Sequence, residues 1–328
     1  QVNNMEGYRH TARSRDRERV SALRQAGVSE ENLFEELTAE SLQRKEARFE
    51  LHSCSRCWHA MHRCVCDRLP AVSLQLPVKI LVLMANKEYL SAGDDAKLLL
   101  AMLPHSKAQL YVFGRPGDLN ALKEEMAIDP VHTLLLWPCE GALTTAQFLE
   151  GLSENSPWGA SASVSTSFAG TLSESSTQKT GGVGSGKELP LMRVLVLDGV
   201  YQAARTMYRH FCKRLQPALP ACQVATVALH PQTLSVYHRA QHGYANASAK
   251  SVAQSTDPLA LRICTVEAVA LLLEELGEPR KTTAAFVTAV QLNNNALGMN
   301  GGSDAATSAA AHQAFCRGCW YFPPPHQQ

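Results

Sequence analysis

Two runs, Val78-Lys-Ile-Leu-Val-Leu-Met84 and Met192-Arg-Val-Leu-Val-Leu-Asp198, constrain this chain more than any other feature. Both are short, almost continuously apolar and rich in β-branched residues, the pattern of a buried strand. Each leads into apolar residues at helical spacing, over Ala96 to Leu103 and over Tyr201 to Leu215. The strand signal recurs at Leu110-Tyr-Val-Phe113 and Thr133-Leu-Leu-Leu-Trp137. It appears again around Cys222 to Leu229, after the breakers Pro217 and Pro220. Strands alternating with helices predict an α/β fold with a mostly parallel sheet. A chain of 328 residues, 45% of them hydrophobic, can bury the core such a sheet needs.

Around that core the composition changes in blocks. Residues 1–50 are rich in Arg, Glu and Leu at helical spacing and predict N-terminal helices. A cysteine-rich segment occupies 51–70, and the first half of the α/β domain occupies 71–150. Residues 151–190 collapse into Ser, Gly, Thr and Ala, too polar to offset ordering entropy, and predict a disordered insertion. The second half of the domain spans 191–292. It contains a strong helix from Val266 to Leu276, stopped by Gly277 and Pro279, and another from Ala284 to Leu292. Residues 293–328 read as a second low-complexity stretch. Thirty-one basic and thirty acidic residues leave a net charge of +1, so any polyanion must be met by a local patch. No apolar run of membrane-spanning length and no secretory leader pattern occur, so we expect no membrane partner and an intracellular address, in nucleus or cytoplasm.

Cys54, Cys57, Cys64 and Cys66 lie within thirteen residues. Four soft ligands so close can fold around one tetrahedral Zn²⁺, and such clustering in a reducing compartment favours a metal over disulfides, although reduced thiols or a disulfide knot remain the alternative. His52, His59 and His62 are substitute ligands. Arg56, Arg63 and Arg68 among the cysteines could meet phosphate. Asp198 ends an apolar strand and precedes Gly199-Val200-Tyr201 and a helix. In open α/β sheets ligands bind beyond such strand ends, so Asp198 is the leading site residue, with a helix N-cap as the other reading. Arg205, Arg209 and Lys213 recur every fourth residue on one face of that helix, which suits a polyanion or is a solvated face. Gly181 to Lys187 imitates a phosphate loop, but Glu188 stands where Ser or Thr belongs and Pro190 and a strand follow, so no ATP site is expected. Cys316 and Cys319 near His312 read as free thiols, a half metal site or a redox pair. Asn246-Ala-Ser248 fits a glycosylation sequon of little meaning without a secretory route.

Taken in order, several segments resemble the DTW-domain family of tRNA-uridine aminocarboxypropyltransferases, over roughly residues 51 to 292. They are the Cys54-to-Cys66 knuckle, Lys87-Glu88, Pro138-x-Glu140-x-Ala142, Asp198-Gly-Val-Tyr201 with Ala204, Arg205 and Met207, Tyr237-x-Arg239, and Cys264-Thr-Val-Glu267-Ala268. Val200-Tyr201 replaces the Thr-Trp of the usual name motif, Asp94-Asp95 stands where Asn-Thr is typical, and Cys264 replaces Ser. The resemblance implies a sheet like that of the knotted SPOUT-type methyltransferases, S-adenosyl-L-methionine as donor and tRNA as acceptor. It implies catalytic roles for Asp198, Tyr201 and Glu267, and donor contacts from Glu88, Pro138, Asp198, Gly199, Val200 and Thr265. RNA contacts would come from Arg56, Arg63, Arg205, Arg209, Lys213 and Arg239. Two rival readings are an RNA methyltransferase using the same donor and a non-enzymatic RNA-binding protein built on the zinc knuckle.

Overall fold

The computed structural model describes residues 17–152, 158, 190–219, 224–229 and 263–298. The phosphate-loop imitation, Tyr237, Arg239, the sequon, His312 and the Cys316 and Cys319 pair lie outside these residues, as does most of the expected insertion. Helices α1 (17–25) and α2 (Glu30–Glu50) open the chain. After the cysteine segment come β1 (Val78–Ala85), α3 (Lys97–Met102), β2 (Ala108–Phe113), α4 (Asp118–Ala127), β3 (Thr133–Leu136) and α5 (Thr145–Gly151). The second half holds β4 (Met192–Asp198), α6 (Tyr201–His210), β5 (Ala225–Val227), α7 (Thr265–Glu275) and α8 (Arg280–Ala296).

The five strands form one sheet in the order β2-β1-β4-β3-β5, and every pairing is parallel. The mostly parallel sheet expected from the alternation is therefore entirely parallel among the described residues. The two apolar runs are its central neighbours, with Val78 opposite Met192 and Met84 opposite Asp198. Central strands are covered on both sides, which explains why neither run alternates with polar residues. Ile80, Val82, Met84, Val194 and Val196 face a layer made by α3, α5, α7 and α8. Leu81, Leu83, Leu195 and Leu197 face α4 and α6.

Several elements depart from the sequence expectation. Helices α4 and α5 were not anticipated, being short with weak periodicity. A capping box marks α5, where the Thr144 hydroxyl accepts the Gln147 N–H and Gln147 Oε1 accepts the Thr144 N–H. The helix expected from Tyr201 to Leu215 ends as an α-helix at His210 and continues as a π-helical turn, Phe211–Leu215. Helix α8 starts at Arg280 and runs to Ala296, past the expected end at Leu292, because Asn293 and Asn294 are buried inside the fold. Trp158, within the stretch expected to be disordered, is buried in the core and donates its indole N–H to the Pro190 carbonyl at 2.8 Å. Among the described residues no helix is long and apolar enough to cross a membrane.

Candidate active site

Asp198 is the last residue of β4, at the carboxyl edge of the sheet. The next residue must let the chain turn against the end of β1. Gly199 does so with φ +150°, and a Cβ built on it would lie 2.9 Å from the Ala85 side chain. Helix α6 then begins with Val200 at the N-cap position, without a side-chain cap, so Asp198 is not the N-cap that its place in the sequence allowed. Its carboxylate instead crosses to the start of α7, where the Thr265 hydroxyl donates to Asp198 Oδ1 at 2.7 Å.

Helix α7 begins in a ring of acids. Asp95 Oδ2 accepts the Val266 N–H at 2.8 Å, and Glu267 Oε2 accepts the Cys264 N–H at 2.8 Å in a capping box with Cys264. These carboxylates satisfy otherwise orphaned amides at a positive helix end. Asp94 Oδ1 accepts the Lys97 N–H at 3.3 Å at the start of α3. The Asp94 and Asp198 carboxyls are in hydrogen-bonding contact. Asp198 Oδ2 is buried and receives no N–H or hydroxyl donor among the described residues.

Burial dominates the electrostatics. It pushes Asp198 up to about 7, assisted by the charge of Asp95. It lifts Asp94 well above the usual carboxylate range, helped by Asp198 and Asp95. Asp95 is also raised by burial, against which the Val266 amide pulls. Burial holds the fully enclosed Lys97 ammonium down to about 8, opposed by Asp94, and its Nζ donates to the Ala92 carbonyl. Groups displaced so far from their ordinary values in a sheet-edge cluster mark a candidate functional site.

The sequence-predicted residues fall into two sets. Glu88, in the turn after β1, is buried and belongs to the acid cluster, raising both Asp94 and Asp198. That turn is held from α2, where Lys45 Nζ donates to the carbonyls of Lys87 (2.9 Å) and Asn86 (3.4 Å). Asp198, Gly199, Thr265 and Glu88 thus converge on one edge, although Glu267 is fully buried in the helix cap. Val200 is 52% exposed on the rim. Tyr201 stacks on Trp137 with centroids 6.0 Å apart, Trp137 stacks on Tyr208 at 5.3 Å, and the Arg205 guanidinium lies 5.7 Å over the Tyr201 ring. This ladder ties the β4–α6 turn to the end of β3, next to exposed Pro138. Arg205, Arg209 and Lys213 are exposed as expected, but Lys213 sits in the π-helical turn, so the three do not share one regular α-helical stripe. Sequence reasoning passed over Asp94, Asp95, Lys97 and Trp137 as site residues. Only the adjacent acids Asp94-Asp95 beside Lys97 could have signalled them.

The cysteine segment is a compact knuckle. Ser53 and Ala60 form an antiparallel bridge, the Cys54 N–H donates to the His59 carbonyl and the Trp58 N–H to the Cys54 carbonyl. The four sulfurs lie within 4.8 Å of one another, with Cys54–Cys66 at 3.6 Å and Cys57–Cys64 at 3.7 Å. Zn–S bonds of about 2.3 Å give a tetrahedral edge of about 3.8 Å, so the spacing is compatible with one Zn²⁺ held by four thiolates. His59 is not a substitute ligand. It is buried, and its Nε2 lies 2.8 Å from Asn293 Oδ1 of α8. Arg56 donates to the Ala101 carbonyl of α3 at 2.8 Å, so part of its guanidinium docks the knuckle, while Arg63 and Arg68 are exposed.

No curated protein and no solved structure matches the chain. The DTW domain model matches residues 51–293, from the knuckle to the buried Asn293 that anchors it, leaving α1 and α2 outside the matched span. Such membership is consistent with a tRNA-modifying enzyme. With both the knuckle and the Asp198 edge inside a match that covers most of its length, the chain belongs to the DTW domain family.

Proposed function

We propose that this protein transfers the 3-amino-3-carboxypropyl group of S-adenosyl-L-methionine to N3 of a uridine in tRNA. One observation carries the reading beyond family membership: the buried Asp198 Oδ2, which no N–H or alcohol hydroxyl of the described residues reaches, set among Glu88, Asp94 and Asp95 at the carboxyl edge of a parallel sheet. Such a cluster favours a cationic ligand, and this donor carries both an ammonium and a sulfonium. The donor supplies an electrophilic γ-carbon whose sulfur leaves as methylthioadenosine. Uridine N3 forms the new C–N bond as the C–S bond breaks, and the N3 proton passes to a nearby base or to water.

In this scheme Asp198 holds the donor's ammonium, oriented by the Thr265 hydroxyl, while Glu267 fixes the turn that carries Thr265. Tyr201, backed by Trp137, supplies an aromatic wall, with Pro138, Gly199 and Val200 at the rim. Glu88 adds negative charge at the ammonium end. Arg205, Arg209 and Lys213, with Arg63 and, outside the described residues, Arg239, meet tRNA phosphates, to which the partly engaged Arg56 adds. The knuckle holds a structural Zn²⁺ through Cys54, Cys57, Cys64 and Cys66.

The test incubates unmodified tRNA with protein and donor labelled either in the methyl group or in the carboxyl carbon. Carboxyl label entering tRNA with release of methylthioadenosine is the expected result. Methyl label in tRNA would assign a methyltransferase instead, and neither label with tRNA still bound would leave a non-catalytic RNA-binding protein.

A further inference from the structure

We propose that Asp94 is held as a neutral carboxylic acid whose proton is donated to Asp198, making it the positioning residue that keeps the Asp198 carboxylate oriented. The geometry demands a donor at this place. Both side chains are buried, their carboxyls are in hydrogen-bonding contact, and Asp198 Oδ2 has no other donor among the described residues. Two ionised carboxylates in contact repel, and a carboxylate offers only acceptors, so a bond between the two requires one proton.

The surroundings do not supply a substitute. Facing the pair are Glu88 from the turn after β1, Asp95 and Lys97 at the start of α3, Lys45 from α2, and Thr265 at the start of α7, where Cys264 lies against Asp95. The Lys97 ammonium donates to the Ala92 carbonyl, and Lys45 donates to the carbonyls of Asn86 and Lys87. Neither forms an ion pair with Asp94 or Asp198 among the described residues. Both ammonium groups thus spend hydrogen bonds on backbone carbonyls and not on the Asp94 and Asp198 carboxyls.

Above about pH 7, where the pair holds a single proton, that proton falls on Asp94 and not on Asp198 because Asp198 has better anion partners. Thr265 donates its hydroxyl to Asp198 Oδ1 near the N-terminus of α7. Among the described residues Asp94 accepts the Lys97 amide, at a longer 3.3 Å. Each oxygen of Asp198 keeps a second lone pair, so the Asp94 hydroxyl and a ligand ammonium can both bind it. Burial and the facing carboxylates raise Asp94 well above the usual carboxylate range, consistent with this assignment.

The decisive experiment counts protons. The stability of the wild type and of Asp94→Asn is measured by urea unfolding from about pH 5 to about pH 8, a range in which an ordinary unfolded Asp is ionised. If Asp94 is neutral in the folded protein, the wild type loses stability relative to the variant with a slope equivalent to about one proton. A stability difference that does not change with pH would mean Asp94 is ionised and would overturn the proposal. Should the variant not fold, infrared spectra of the wild type at neutral pH decide: a buried protonated carboxyl C=O band is expected, and its absence overturns the assignment. The role in catalysis rests on the transfer reading and has its own readout. The wild-type kcat should fall on the alkaline side as the Asp94 proton is lost, whereas Asp94→Asn, whose amide keeps its proton, should lack that fall. Identical alkaline profiles would refute the positioning role. The proton count does not depend on the donor's identity, so it stands or falls separately from the proposed reaction.

Discussion

Replacing Gly199 by alanine places a methyl group where the end of β1 leaves no room. The added Cβ would sit 2.9 Å from the Ala85 Cβ, well inside the roughly 3.5–4.0 Å of ordinary carbon contact. Ala85 has no side-chain torsion with which to retreat, and it belongs to a strand paired on both sides. Overpacking of this kind costs about 1–3 kcal/mol. Holding an alanine at φ +150° adds about 1 kcal/mol or more. The expected loss is therefore roughly 2–4 kcal/mol, within the range a marginally stable domain can survive. Urea unfolding monitored by tryptophan fluorescence measures it. The double variant Gly199→Ala with Ala85→Gly separates the two causes, because removing the opposing methyl relieves the clash but not the backbone strain. A favourable coupling of about 1–2 kcal/mol is expected, beyond the ~1 kcal/mol that glycine itself costs in a strand. A stable single variant, or zero coupling, would refute the close approach of the β4–α6 turn to β1. Because that turn aims Asp198, transfer activity should fall with the single variant and return in part with the double.

Asp198→Asn should abolish transfer while raising stability at high pH. Burial raises the folded carboxyl to about 7 from an unfolded 3.8, so the wild type loses stability relative to the variant as pH rises from about 4 to about 7; a pH-independent difference in urea midpoints would contradict this. The knuckle should bind one Zn²⁺ per chain by metal analysis, and a chelator should loosen it together with the α3 and α8 contacts made by Arg56 and His59; unchanged hydrogen exchange there in metal-free protein would refute a structural role. Glu278→Ala strands the amides of Gln75 and Leu76, whose N–H groups both donate to that buried carboxylate at 3.0 to 3.1 Å, and should cost about 2–4 kcal/mol in the unfolding midpoint.

Much of this molecule is legible in its sequence where the determining interaction is local. The runs at Val78 and Met192 read as buried strands because β-branched side chains and uninterrupted apolarity suit a central parallel position, and all five expected strands exist. The four cysteines identify themselves through spacing alone, since a short loop can bring them together whatever the rest of the chain does. Asp198 announces itself by ending a strand. Sequence reasoning was weaker for α4 and α5, whose few turns carry little periodic signal, and for the end of α8. There Asn293 looks like a low-complexity residue until its contact with His59, 234 positions earlier, is seen.

What only the tertiary structure decided is which of these local pieces meet. An apolar strand fits beside any other, so nothing in either run states that β4 lies between β1 and β3, with Met84 opposite Asp198. That order brings the loop after β1 and the start of α7 to the same edge. It places Asp95 on an amide 171 positions away and sets Asp94 against Asp198. Periodicity records how a segment turns its own side chains. Strand order, and with it the charge that a buried carboxyl can hold, depends on backbone pairing between segments far apart in the chain, on which the periodicity of any one segment is silent.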